Sequence, residues 1–73
     1  MSDFCSSDIA QAIRVGLARA NETNQWLASE IGCSPQFVSY MRNGQRVPSM
    51  ERIEDIALTF DVPVSEFMFW GEI

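Results

Sequence analysis

This chain of 73 residues contains no histidine and no lysine, and its only cysteines are Cys5 and Cys33. Each absence removes a class of function. Without histidine, the commonest general base and the commonest metal ligand are both missing. A structural zinc site needs four ligands at set spacings, and two distant cysteines with no CxxC pair do not supply them. The two read as reduced thiols packed as small apolar groups. No nucleophile stands beside a base, so an enzyme is the least supported class, and neither a cofactor, a metal nor a small-molecule substrate is expected. No apolar run approaches the roughly 18 residues of a membrane span. Met1-Ser2-Asp3-Phe4 lacks the basic and then apolar stretches of a signal peptide. The expectation is a soluble, cytoplasmic protein with no membrane partner. Alternating β-branched runs, repeats, low-complexity tracts and linkers are absent too, so residues 1–73 form a single domain. A domain this small buries only about 60% of its unfolded surface, yet a hydrophobic content of 47% is ample for a packed core. Met1 and the apolar C-terminal end read as natural termini.

Charge of one sign is scarce in one place. The net charge is -5, which is unusual for a nucleic-acid partner. The excess acid lies at the ends: Asp3 and Asp8 at the start, and Glu51, Glu54, Asp55, Asp61, Glu66 and Glu72 against Arg52 after position 50. Between them Arg14, Arg19, Arg42 and Arg46 outnumber Glu22 and Glu30, and from Ile31 to Met50 there is no acid at all.

What is present is an all-α pattern of five short helices. The first spans about Ser7 to Ala20, with Ser6 or Ser7 as cap, Asp8 suited to the dipole, and Ile9, Ile13, Leu17 and Ala20 as one apolar stripe. Asn21 tolerates the left-handed conformation at its end. The second runs from about Asn24 to Ile31 behind Thr23, its inner face Leu27, Ala28 and Ile31, and Gly32 stops it. The third runs from Pro35 to Asn43, with Ser34 as cap, proline in the first helical position, and Phe37, Val38 and Met41 as its apolar set. The fourth, Met50 to Phe60, follows Pro48 and Ser49 and turns Ile53, Ile56, Ala57 and Phe60 inward; the fifth is a short piece from Pro63 to Phe69.

The second and third helices carry the central signal. A steep crossing over a tight turn needs a small residue where the helices meet, and Ala28 is there. It needs a left-handed residue in the turn, and Gly32 is there. Leu27, Ile31, Val38 and Met41 lock the pair to a core. At these residues the segments Thr23-Asn24-Gln25-Trp26-Leu27-Ala28-Ser29-Glu30-Ile31-Gly32, Ser34-Pro35 and Arg42-Asn43-Gly44-Gln45-Arg46-Val47-Pro48-Ser49 resemble the Cro/repressor-type (lambda-repressor-like) helix-turn-helix family. The resemblance covers roughly Ile9 to Met68. It implies a five-helix domain that binds double-stranded operator DNA as a symmetric dimer and regulates transcription, with Ser34 to Asn43 as the recognition helix in the major groove.

Carried over position by position, the resemblance makes Gln36 the main base-reading residue, able to pair bidentately with adenine, with Ser39 and Tyr40 next on the same face. It gives Asn24, Ser34, Asn43, Gln45 and Arg46 the DNA backbone. Each has a plainer alternative: Gln36 and Ser39 as solvated polar groups, Tyr40 packed on the helix surface, Asn43 as a helix end, and Arg46 as a loop charge. Arg42 pairs with an acid such as Glu30 or touches DNA, and Arg14 and Arg19 read as solvated charges. The chain departs from the family pattern at Leu17 and Arg42, where many members place a buried arginine–glutamate pair, so Leu17 is expected in the core. It departs again at Pro63, where a serine-like cap often opens the last helix.

Trp26 stands where the family usually has a polar residue, and reads either as half-buried filler or as a contact. In the apolar tail, about 66–73, Phe67 is the expected core residue, while Met68, Phe69 and Trp70 exceed what a short helix can tuck in and point to a homodimer interface. The leading reading is a sequence-specific transcription regulator, such as a phage Cro or repressor, a restriction–modification controller or an antitoxin-like autorepressor. The second is an acidic protein-interaction module or antirepressor that keeps the fold without binding DNA.

Overall fold

The computed structural model describes residues 6–72, so Cys5 and Ile73, together with the side chains of Ser6 and Ser7 offered as caps, lie outside the described residues. The described chain is all helix: α1 (Ser6–Ala20), α2 (Asn24–Ile31), α3 (Pro35–Arg42), α4 (Met50–Thr59) and α5 (Val64–Trp70). None of these helices is long and apolar enough to cross a membrane.

Starts and stops follow the local chemistry. Thr23, Ser34 and Ser49 each sit in extended backbone and accept from the N–H three residues on, that of Trp26, Phe37 and Arg52. Such a cap contributes about 1 kcal/mol. Helix α5 begins behind Pro63, which makes no side-chain cap bond. The C-terminal ends share one device. After α1 to α4 a residue of positive φ turns the chain: Asn21 (56°), Gly32 (75°), Gly44 (79°) and Asp61 (63°). The next N–H then reaches back five residues, from Glu22 to Leu17, Cys33 to Ala28, Gln45 to Tyr40 and Val62 to Ala57, at 2.8–3.0 Å. Carbonyls that the helices leave unpaired are thereby satisfied. Three predicted ends move by one residue: Asn43 and Phe60 are C-caps rather than last helical residues, and α5 runs on to Trp70 rather than Phe69.

The helices enclose one core. Helix α1 packs against α3 and α5, α2 against α3 and α4, and α4 against α5. Ile9, Ile13, Leu27, Val38, Met41, Ile53, Ile56 and Phe67 are fully buried, and Ala28 is closed off at the α2–α3 crossing. Leu17 is in this core, as expected from its departure from the family's charged pair, whereas Ala20 is exposed at the helix end. An aromatic cluster closes one side. Phe60 has the rings of Trp26, Trp70 and Phe67 around it at 5.9, 6.0 and 6.4 Å between centroids. It fits because Gly16 leaves room: a Cβ there would lie 2.6 Å from the Phe60 ring. At the other end of α1, a Cβ on Gly71 would collide with the backbone carbonyl of Asp8.

The tail corrects an expectation. Met68, Phe69 and Trp70 do not form one exposed patch, since Met68 and Trp70 are 9% and 5% exposed and belong to the chain's own core. Only Phe69, at 55%, faces outward. The three-residue surplus was overestimated because α1 and Phe60 provide a wall for Trp70, and Arg19 covers its outer face with a guanidinium 5.2 Å from the ring centre. Trp26 is half-buried against Phe60, which is the packing reading of that residue.

Candidate nucleic-acid interface

Helix α3 divides its residues by angle. Val38 and Met41 point into the core. Gln36, Ser39 and Tyr40 lie on the opposite side, with Gln36 exposed and the other two partly so. The Gln36 Nε2 donates to the Tyr40 hydroxyl at 2.7 Å, one turn along the helix. That bond orients the amide while leaving its oxygen and its second N–H free. One acceptor and one donor side by side is the pattern that matches the N6 and N7 edge of adenine. The Tyr40 hydroxyl, accepting from Gln36, keeps its own proton to donate outward.

The residues assigned to the DNA backbone gather around the two ends of α3. Ser34 is exposed at its start, and its hydroxyl is occupied in capping Phe37 N–H. Asn43, Gln45 and Arg46 are exposed in the loop that follows. Asn43 also serves as C-cap, its N–H donating to Ser39 O at 3.0 Å. Asn24 opens α2, and its Oδ1 accepts from Arg42 Nη1 at 2.9 Å. Arg42 is thus a partner of Asn24, not of Glu30. With its oxygen engaged, the Asn24 amide turns its N–H₂ group away from Arg42, available to an acceptor. Sequence offered no sign of this pair, since eighteen positions separate the two residues and no helical period relates them.

A second arginine was also missed. Arg52, in the first turn of α4, donates from Nη1 to the Ile31 carbonyl at 3.3 Å, and its guanidinium lies 5.2 Å from the centre of the Phe37 ring. Beside it, in the turn between α2 and α3, the Cys33 thiol is partly buried. Burial pushes that thiol's pKa up, and the Arg52 charge partly opposes the shift. No group of histidine, cysteine and acidic side chains among the described residues is placed to hold a metal ion.

The surface made by Gln36, Ser39, Tyr40, Asn43, Gln45 and Arg46 falls within the stretch that has no acidic residue. It presents hydrogen-bond donors and acceptors with one exposed cation, Arg46. Such a surface suits groove edges and phosphates more than it suits an anionic small molecule.

The model of the Cro/C1-type helix-turn-helix family matches residues 23–67 of the chain. Two crystal structures of the clp gene regulator ClgR from Corynebacterium glutamicum share its fold. One aligns with a TM-score of 0.86 and 18% identity over 97% of this chain and 92% of that one. The other aligns with a TM-score of 0.88 and 18% identity over 99% and 77%. No curated protein sequence matches.

Proposed function

Because the chain belongs to the Cro/C1-type helix-turn-helix family of DNA-binding transcription regulators, we propose that it acts as a repressor which binds a palindromic operator as a homodimer. The observation that carries this reading is the oriented Gln36–Tyr40 pair on the exposed side of a capped helix. Gln36, Ser39 and Tyr40 read bases, while Asn24, Ser34, Asn43, Gln45 and Arg46 meet the backbone. In a two-fold dimer the recognition helices stand about 34 Å apart, one turn of DNA. Phe69 is the part of the tail left to contact the second copy.

Selection of binding sites from random duplex DNA tests the proposal. The expected result is a palindrome with half-sites about 10 base pairs apart, and no enrichment at low salt would sink it. On the recovered site, Gln36→Ala should cost about 1–3 kcal/mol, with far less loss on random DNA. An equal loss on both would make Gln36 a backbone contact. The acid concentrated in α4 and α5 (Glu51, Glu54, Asp55 and Glu66) favours the second reading, an acidic interaction module. The same selection separates the two, because that module would enrich nothing.

A further inference from the structure

The Arg52 side chain is only partly exposed and is engaged within the fold. It reaches from α4 to two elements at once, the last carbonyl of α2 through Ile31 and the first turn of α3 through the Phe37 ring. Each contact has a physical basis. The C-terminal end of a helix carries partial negative charge that attracts a cation. A guanidinium at this distance from an aromatic ring gains both electrostatic and stacking energy, the more so when partly shielded from water as here. Its own backbone is fixed as well, since Arg52 N–H donates to the Ser49 cap.

Phe37 occupies a particular place around α3. At about 100° per residue, Phe37 and Arg42 stand about 140° apart, one on each side of the inward stripe formed by Val38 and Met41. Arg42 is tied to Asn24 on one flank, and Phe37 to Arg52 on the other. The helix is therefore restrained against rolling about its own axis, and roll decides where Gln36, Ser39 and Tyr40 point.

We infer that Arg52 is a positioning residue for sequence reading: its bridge from the Ile31 carbonyl to the Phe37 ring sets the roll of the recognition helix. This inference rests on the DNA-binding reading, but its first test does not. In the free protein, thermal melts of Arg52→Met, Phe37→Leu and the double variant form a cycle. The double variant should lose less than the sum of the two single losses, because the Arg52–Phe37 contact is removed by either change alone. Falls that simply add would overturn the bridge, whatever the protein does with DNA.

The second test measures binding below the melting range, on the selected site and on random duplex. For Arg52→Met the expected loss is about tenfold on the selected site and under about twofold on random DNA, with the salt dependence unchanged. Phe37→Leu, which keeps the guanidinium, should show the same asymmetry and serves if Arg52→Met does not fold. An equal loss on both duplexes, with a salt slope shallower by about 0.9, would make Arg52 a phosphate contact and overturn the positioning role. Unchanged binding on both would overturn it as well. If the wild-type chain itself selects no site, it is the DNA reading that falls, and the melting cycle still decides the bridge.

Discussion

Gly16 shows how one missing methyl group shapes the interior. Glycine in mid-helix costs roughly 1 kcal/mol relative to alanine, so propensity alone predicts that Gly16→Ala stabilises α1. The Phe60 ring reverses that sign, because the added Cβ would stand 2.6 Å from it. Overpacking of this kind costs about 1–3 kcal/mol. With the propensity gain subtracted, the net cost of Gly16→Ala is about 1 kcal/mol, and the melting temperature is expected to fall by about 4–8 °C for a domain of this size. A rise in the calorimetric midpoint would show that the ring yields freely. Polar residues at the same scale are used economically. Asn24 engages its oxygen on Arg42, Gln36 engages one N–H on Tyr40, and each retains a free hydrogen-bonding group. No buried side-chain nitrogen or oxygen among the described residues lacks a partner.

At the scale of the element, the four C-terminal stops do the same job with different residues, glycine at positions 32 and 44, asparagine at 21 and aspartate at 61. Gly32 isolates the backbone contribution, since a Cβ there would meet nothing within 4 Å. Gly32→Ala should thus cost about 1 kcal/mol from left-handed strain alone, and Gly32→Asn less. Equal denaturation midpoints for the two variants would mean that the turn tolerates any side chain. These stops and the Thr23, Ser34 and Ser49 caps explain why the helices were legible in the sequence to within about a residue. They are local chemistry, written within five positions of where it acts. That Gln36, Ser39 and Tyr40 share the side of α3 opposite the core was legible for the same reason, since period and capping fix which residues share a face. What was not legible is what packs across the fold. The Arg42–Asn24 bond, the Arg52 bridge and the burial of Trp70 each depend on residues distant in the chain. No local pattern announces which aromatic residue of an apolar tail finds a wall.

At the scale of the molecule, the internal use of arginine bears on affinity. Arg42 and Arg52 bond within the protein, leaving Arg46 as the exposed cation beside α3. A dimer that neutralises two phosphates through its two Arg46 side chains should show log K falling with log salt at a slope of about -2. A slope steeper than about -5 would mean that other cations turn toward the DNA. Dimerisation has its own check. Phe69 is 55% exposed, so Phe69→Asp should leave the fold intact and shift sedimentation toward the monomer; unchanged mass would remove Phe69 from the interface. Trp70→Ala is the wrong probe for this purpose, because it opens a cavity in the core worth about 3–5 kcal/mol. Finally, Phe60 touches both Trp26, on the helix that begins with Asn24, and Trp70, at the end of α5. In a genetic screen, lesions at Gln36 and Phe69 should fall into separate classes, one defective in recognition and one in assembly. Lesions at Phe60 should be pleiotropic, failing in both, because a single ring is the shared neighbour of the two halves of the trait.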